Sequence, residues 1–288
     1  AGTGAAGYGI DFQYVRGSTI ALTDVTSTNA VSYGLVVWDS SDTAVTVSGG
    51  TYAGPAGGLR LNKVANVAVT VNTAAVMTGT LPVYLHGGSV DSSVTVTTDC
   101  TAAKIRITDS MMPSLKIDAA ALPAGIAYEV DTVTFHAGGA GNGIWLTNLQ
   151  AANNVQLTNV ASHAAATALL IDASAGGTVG VTGGDFTATG HAVDINNVAA
   201  LALTLNTITA VATAGTGVGV RVATTSATSV IGMTGVSATS ANAIGMYFTA
   251  IANTAITIDG LSSAKGGTNG FEANGFTGTS PLAISVSS

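Results

Sequence analysis

Two carboxylates are the residues of this chain best suited to catalysis. Asp172 and Asp194 are separated by 22 positions, with His191 and Arg221 as ionisable neighbours. Hydrolysis of a glycosidic bond needs two carboxyl groups flanking one bond, roughly 5 to 5.5 Å apart for retention or 6.5 to 9.5 Å apart for inversion. If the chain cleaves a glycan, we expect Asp172 and Asp194 to carry the reaction.

A second group of residues has the chemistry of a carbohydrate-binding surface. Aromatic rings stack on sugar rings, while charged and polar side chains bond the sugar hydroxyl groups. The predicted glycan-binding residues combine both types: Trp38, Tyr84, His86, Arg106, Trp145, Arg221 and Tyr247. They are distributed over most of the chain, so binding requires a fold that brings them to one surface.

Composition excludes several other functions. Only 8% of the 288 residues are charged, and the net charge is −7, so the 8 Lys and Arg residues cannot neutralise a nucleic-acid backbone. No apolar run approaches the roughly 18 residues that a membrane-spanning helix needs. The single cysteine, Cys100, excludes an internal disulfide.

A short apolar–variable–apolar pattern recurs along the whole chain and predicts the fold. Each copy is followed by a second alternating segment rich in β-branched residues, which is typical of strands, and no window has helical periodicity. The repeat predicts a single domain, residues 1–288, forming a right-handed parallel β-helix of twelve coils with about 24 residues each and three short strands per coil. The first strands are predicted to begin at Ile10, Leu35, Leu59, Val83, Ile105, Ile126, Ile144, Leu169, Val193, Val220, Met246 and Phe271.

This repeat resembles the pectin-lyase-like superfold of right-handed parallel β-helices, which phage tailspikes, adhesins, autotransporter passengers and polysaccharide lyases share. The resemblance lies in the periodicity of all twelve coils, and the chain carries no motif of a particular enzyme family. It implies that the face formed by the first strands is the place to look for glycan binding.

The strand period assigns the chemical residues to one surface, which we call the first-strand face. In each first strand, positions one and three are expected to point inward and positions two and four outward. Trp145, between Ile144 and Leu146, is a second-position residue, and the other candidate residues occupy second or fourth positions. Asp172 and Asp194 are then one coil and two positions apart, with backbones about 8 Å apart. The alternative is that this face is simply the hydrated one, with Asp194 and Arg221 forming a salt bridge between coils.

The corners and the remaining strands give further expectations. Residues able to adopt a left-handed conformation follow the second strands at Gly49, Asn159, Gly183, Gly235 and Gly260. Inward residues of the third strands are predicted at Val160, Phe186, Ile208, Val236 and Leu261. The outward side of the second strands is rich in threonine, which would suit ice binding, but it is interrupted at Lys116, Asp118, His136, Gln156 and Gly180.

No cofactor and no metal site is predicted. Calcium is considered at two places, the DSSD segment 39–42 and the glycine-rich segment 138–144, where Asn142 replaces the Asp of the glycine-rich calcium repeat. A solvated turn explains the DSSD segment better than a calcium site, and the glycine-rich segment is a single copy without the tandem neighbours of that calcium repeat.

These observations favour an extracellular, cell-surface or virion-surface protein. Parallel β-helices have open strand edges at their ends, and the first strand near Gly9 and the last pattern, ISVSS, show no recognisable cap. The expected function is therefore a structural β-solenoid, a fibre, surface-layer or adhesin subunit. If the chain is complete, it forms a homo-oligomer or filament through these ends, whereas in a fragment the caps belong to the missing parts. The alternative is a tailspike-like protein that binds, and as a glycoside hydrolase or lyase cleaves, a bacterial surface polysaccharide.

Overall fold

The protein is an all-β parallel solenoid of about ten turns, with about 25 residues per turn. The described residues contain strands and turns but no α-helix, so no helix among them could cross a membrane. The prediction of a parallel β-helix is confirmed. The computed structural model describes residues 7–28, 31–72, 75–79, 82–86, 89, 92–96, 101–102, 104–112, 114–119, 125, 127–137, 141–260, 263–279 and 281–284.

The chain divides into two compact units. Unit 1 contains residues 1–112 and 120–133, and unit 2 contains residues 113–119 and 134–288. Each is described by itself below. The assignment of residues 1–288 to one domain stays a prediction.

Unit 1 is built from three parallel sheets, one for each strand of a coil. The first strands are ordered β1-β3-β6-β9-β12, the second strands β2-β4-β7-β10 and the third strands β5-β8-β11. The strands are β1 (Ile10–Gln13), β2 (Thr19–Thr23), β3 (Tyr33–Trp38), β4 (Ser41–Ser48), β5 (Thr51–Ala53), β6 (Gly57–Asn62), β7 (Ala65–Asn72), β8 (Val76–Thr78), β9 (Val83–His86), β10 (Ser93–Val96), β11 (Thr101–Ala102), β12 (Lys104–Met112) and β14 (Ala127–Ala137), which ends in unit 2.

Unit 2 has the same parallel stacking, but its second and third strands belong to one sheet. Its first strands follow the order β13-β15-β17-β19-β22-β25-β28, and its second strands the order β16-β18-β20-β23-β26-β30. The strands are β13 (Leu115–Asp118), β15 (Ile144–Thr147), β16 (Asn154–Ala164), β17 (Leu169–Asp172), β18 (Thr178–Ala188), β19 (Val193–Ala199), β20 (Ala202–Asn206), β21 (Thr209–Ala212), β22 (Val220–Ser226), β23 (Val230–Thr234), β24 (Ser237–Ser240), β25 (Ile244–Ala252), β26 (Ala255–Asp259), β27 (Ser263–Lys265), β28 (Asn269–Ala273), β29 (Phe276–Thr277) and β30 (Leu282–Ile284).

The register of the first strands follows the predicted repeat in both units. In unit 1, the predicted starting residues are consecutive register partners from Ile10 to Ile105. In unit 2, the same holds from Ile144 to Phe271. A residue and its equivalent in the next coil are therefore vertical neighbours, which places the candidate side chains in ladders.

Two segments depart from the predicted repeat. The segment at Leu115, predicted as a second strand, is strand β13 and pairs with the first strand that begins at Ile144. Val133, predicted to begin a second strand, lies inside the 11-residue strand β14, so two predicted strands are one. Because of these merged segments, the predicted count of twelve coils is slightly too high. In the last described coil, strand β30 (Leu282–Ile284) pairs with β26, and residues 285–288 of the predicted ISVSS strand lie outside the described residues.

The core consists of the inward positions of every coil. Ile144 and Leu146 of β15 are fully buried, as are Leu169 and Ile171 of β17. The third-strand predictions are also confirmed for Val160, Phe186, Ile208 and Val236, whereas Leu261 lies outside the described residues. Burial of each such aliphatic or aromatic side chain contributes about 1.5 to 3 kcal/mol, which makes this column the main stabilising element of each coil.

Left-handed backbone conformations occur where they were predicted. The five residues Gly49, Asn159, Gly183, Gly235 and Gly260 have φ angles of 74°, 49°, 66°, 60° and 60°. Thr207 occupies the equivalent position in the coil between Gly183 and Gly235 and also has a positive φ, 53°. A β-branched residue is unfavourable in this conformation.

A second left-handed corner was missed by the sequence prediction. It follows the fourth position of the first strands and turns the chain out of the first-strand sheet. Most of its residues are not glycine, so composition gives no signal for it. The corner residues are Tyr14, Asp39, Lys63 and Asp109 in unit 1, and Asn148, Ala173, Asn197, Thr224, Ala250 and Gly275 in unit 2.

Candidate functional site

Asp194, Arg221 and His191 form a polar cluster on the first-strand face of unit 2. Asp194 and Arg221 are register partners in β19 and β22. Arg221 Nη1 donates to both carboxylate oxygens of Asp194, at 3.1 Å and 3.0 Å. Asp194 is only 6% exposed, so its prediction as an open surface residue is wrong, whereas the salt bridge with Arg221 between coils, the alternative considered from the sequence, is present.

Burial controls the ionisation of this cluster. It raises the pKa of the Asp194 carboxyl, an effect that Arg221 and His191 oppose. Burial also lowers the pKa of His191. Asp194 opposes this shift, and Arg221 reinforces it. The backbone N–H of Val218 donates to His191 Nδ1 at 3.0 Å. Because Nδ1 accepts this bond, the neutral imidazole carries its proton on Nε2.

Trp145 has intramolecular partners on one ring face and at its nitrogen atom. Its Nε1 donates to Asp172 Oδ1 at 2.8 Å. The Lys116 ammonium lies 4.3 Å from the ring centroid, a cation–π contact. Its register partners are Lys116 and Leu170. The half-buried indole therefore points outward as predicted, but its polar atom and one ring face already have intramolecular partners.

The two predicted catalytic carboxylates lie close together, as the repeat requires. Asp172 is the register partner of Asn196, two positions along the strand from Asp194. Asp172 is near enough to contribute to the raised pKa of Asp194. However, Asp172 accepts a hydrogen bond from Trp145, and Asp194 accepts two from Arg221. The geometry gives both carboxylates a role between coils, and their catalytic role stays a prediction.

In unit 1, Tyr84 and Arg106 form a comparable ladder. The Arg106 guanidinium lies 5.8 Å from the Tyr84 ring centroid, and the Tyr84 hydroxyl is 3.4 Å from Thr108 Oγ1. Glu129 joins two cations, with Lys104 Nζ at 2.5 Å and Arg106 Nε at 3.7 Å from its carboxylate oxygens. These side chains link neighbouring strands of the unit.

Trp38 and His86 share the fourth-position column of unit 1. Trp38 is the register partner of Gln13 and Asn62, and His86 is the next partner of Asn62. The Trp38 Nε1 atom is buried and has no hydrogen-bond partner in the described part of the chain. The side chain of His86 lies outside the described residues, so its predicted glycan contact stays a prediction.

Tyr247 belongs to the more open end of the ladder in unit 2. It stacks in register between Arg221 and Glu272. Asn274 Nδ2 donates to the Tyr247 hydroxyl at 3.5 Å, and Thr249 Oγ1 donates to Asn274 Oδ1 at 2.7 Å. Hydrogen bonds with Thr249, which has the larger effect, and with Asn274 lower the pKa of the Tyr247 phenol. Its surroundings are polar and partly exposed.

The predicted site residues thus form two ladders, one in each unit. Trp145, Asp172, Asp194, Arg221 and Tyr247 lie along unit 2, and the others lie along unit 1. The faces are less exposed than predicted, because several second- and fourth-position residues are buried. These are Val36, Asn62, Thr108, Thr147, Asp194 and Ala223.

Buried hydroxyl groups beside these ladders were missed by the sequence prediction. Ser40, Ser174 and Ser229 are each at most 2% exposed. Each accepts a hydrogen bond from a backbone N–H of a neighbouring coil: Val15 to Ser40 at 3.1 Å, Leu149 to Ser174 at 3.2 Å and Leu201 to Ser229 at 3.2 Å. Serine is too common in this sequence for such positions to stand out, and their spacing is not constant: Ser40 and Ser174 follow the fourth position of a first strand by two residues, and Ser229 by six.

The two segments considered for calcium have different outcomes. In the segment 39–42, Asp42 accepts a hydrogen bond from Asn66 at 2.9 Å, and both Asp39 and Asp42 adopt left-handed conformations. In the segment 138–144, residues 138–140 lie outside the described residues. Across the described ranges, no group of three or more His, Cys, Asp or Glu residues could hold a metal ion.

Comparison with known proteins gives no relative: no family model, no curated protein and no solved structure matches this chain.

Proposed function

We propose that this protein is a structural β-solenoid, a subunit of an extracellular fibre, surface layer or adhesin. One observation carries the proposal. The side chains that could bind or cleave a ligand are engaged with each other between coils, as in Arg221 with Asp194 and Trp145 with Asp172. A ladder of this kind stabilises the stacking of coils, whereas a binding site needs groups that are free to meet a ligand.

The proposed contact between subunits involves Ile284 in strand β30 of unit 2. Ile284 is 44% exposed, whereas Ile258, its register partner in β26, is 1% exposed. In the proposed filament, a coil of a second subunit would cover β30 and bury Ile284. Such a contact joins different surfaces of two copies and propagates as a filament.

Negative-stain imaging and sedimentation of the 288-residue chain test this proposal. We expect filaments or long oligomers, and we expect Ile284→Asp to shorten them because a carboxylate would be buried in the contact. The matched control is Val230→Asp, which places the same charge at a lateral position that is 56% exposed. A chain that stays monomeric at all concentrations, or equal shortening by both variants, would contradict the proposal.

A second candidate is glycan binding of the tailspike type. Tyr247 favours it, because this ring is partly exposed and lies beside Glu272 and Asn274, which offer hydrogen bonds to sugar hydroxyls. In this alternative, Asp172 and Asp194 would be the residues that cleave the bound polysaccharide.

A panel of bacterial surface polysaccharides separates the two candidates. Binding that is lost in Tyr247→Ala would support the second candidate, and release of reducing ends that is lost in Asp172→Asn and Asp194→Asn would extend it to hydrolysis. Absence of binding and turnover across the panel would leave only the structural role. Folding of each variant is checked by circular dichroism.

A further inference from the structure

Two of the four histidines of the chain are neighbours on the surface of unit 2. His136 in β14 and His163 in β16 stack with ring centroids 5.6 Å apart and an angle of 12° between the planes. Both side chains are exposed. Neither belongs to the first-strand ladders, so the pair is independent of the proposed function.

From this geometry we propose that His136 and His163 form a two-imidazole site for a divalent transition-metal ion such as Ni²⁺, Cu²⁺ or Zn²⁺. Imidazole nitrogen is a preferred ligand of these ions, whereas Ca²⁺ and Mg²⁺ prefer oxygen. The remaining coordination positions are open to water or to groups of another molecule.

The ring separation fits this coordination. A metal–nitrogen distance of about 2.0 to 2.1 Å places the ion about 3.2 Å from each ring centre, so two imidazoles at a tetrahedral angle have centres about 5.2 Å apart. The observed separation of 5.6 Å differs by a few tenths of an ångström. Nearly parallel rings must rotate to aim one nitrogen each at a shared point, and their exposure leaves room for this rotation.

The surroundings of the pair supply a further polar group. His163 is the register partner of Thr187, and Ala161 is the register partner of Asp185. Because Phe186 is buried, the alternation of the strand places Asp185 and Thr187 on the outward side with His163. Strand and residue spacings put the Cα atoms of Asp185 and His163 about 8 Å apart, within reach of a hydrogen bond to a metal-bound water.

Titration calorimetry of the untagged chain with NiCl₂ and ZnCl₂ at pH 7.5 tests the site. We expect one ion per chain, with affinity at least tenfold weaker in His136→Gln and in His163→Gln. Thr187→Gln, a change on the same face, should leave the affinity unchanged. Thr187→His should strengthen it at least tenfold, because it adds a third imidazole to the column.

Two results would overturn the proposal. One is no binding by the wild-type chain at millimolar metal. The other is unchanged affinity in either single histidine variant, which would assign the binding to other residues. Circular dichroism of each variant shows that the coils are intact, so that loss of binding is not loss of fold.

Discussion

Removing Arg221 should destabilise the protein more than removing the carboxylate that it binds. At 3.0 Å and an effective dielectric constant of about 20, the attraction in this pair is about 5 kcal/mol, much of which offsets the cost of dehydrating Asp194. Arg221→Gln leaves that carboxylate buried without its cation, and we expect a loss of about 3 kcal/mol. Asp194→Asn leaves a guanidinium whose side chain is 27% exposed to water, so we expect a loss of about 1 to 2 kcal/mol.

The stability that Arg221→Gln loses should depend on pH, because the pKa values of Asp194 and His191 are shifted in the folded protein. The pKa of Asp194 is raised in the folded state, and loss of Arg221 raises it further. The folded variant therefore takes up a proton before the unfolded chain does, and acidification stabilises it relative to the unfolded chain. Burial, reinforced by Arg221, lowers the pKa of His191 from 6.5, so this group destabilises the folded wild type as the pH falls below 6.5, and the effect is smaller in Arg221→Gln because the contribution of Arg221 is removed. The difference in free energy of unfolding between the wild type and Arg221→Gln should therefore be smaller at pH 5 than at pH 7.5.

Equilibrium unfolding in guanidinium chloride, followed by circular dichroism, measures these free energies. The double variant Arg221→Gln, Asp194→Asn is the control, and it should regain part of the loss of Arg221→Gln because no buried charge remains. The reasoning is wrong if Asp194→Asn costs more than Arg221→Gln, or if the deficit is the same at both pH values.

Two further predictions concern the corners and the indoles, and both are measured by the same unfolding assay. Thr207→Gly should stabilise the protein by about 1 kcal/mol, because it relieves a β-branched residue at a φ of 53°, whereas Thr204→Gly in the extended strand β20 should destabilise it by about 0.5 to 1 kcal/mol. Trp145→Phe should cost about 1 to 2 kcal/mol more than Trp38→Phe, because only Trp145 loses a hydrogen bond, the one to Asp172. Equal effects of the two threonine changes, or of the two tryptophan changes, would refute these assignments.

The sequence predicted most of the fold because the repeat is regular where the core is regular. Ile144, Leu169 and Val193 are in register because each coil repeats the same inward positions at nearly constant spacing. The prediction failed between Ile105 and Ile144, where the spacing shortens and two apolar patterns belong to the single strand β14. A pattern of period two cannot tell one long strand from two short ones.

The sequence predicted which way the candidate side chains point, but not how deeply they are buried or which groups they contact. The alternation placed Trp145 and Arg221 outward correctly, because side-chain direction depends only on the strand period. It indicated the salt bridge between Asp194 and Arg221 as an alternative but could not predict the burial of the Asp194 carboxylate, because burial depends on the length and orientation of the neighbouring side chains. The His136 and His163 pair was hidden by the shifted register of β14, which separated the two residues in the predicted alignment.

The spacing between coils explains why outward aromatic residues of this fold become structural. Neighbouring strands lie about 4.8 Å apart, which is close to the distance at which a cation or a second side chain contacts a ring face. Trp145 has Lys116 at 4.3 Å, and Tyr84 has Arg106 at 5.8 Å. A ring remains open to a ligand only where its vertical neighbours are short or turn aside. Ligand-binding positions on such a face are therefore defined by the residues above and below an aromatic side chain as much as by the aromatic residue itself.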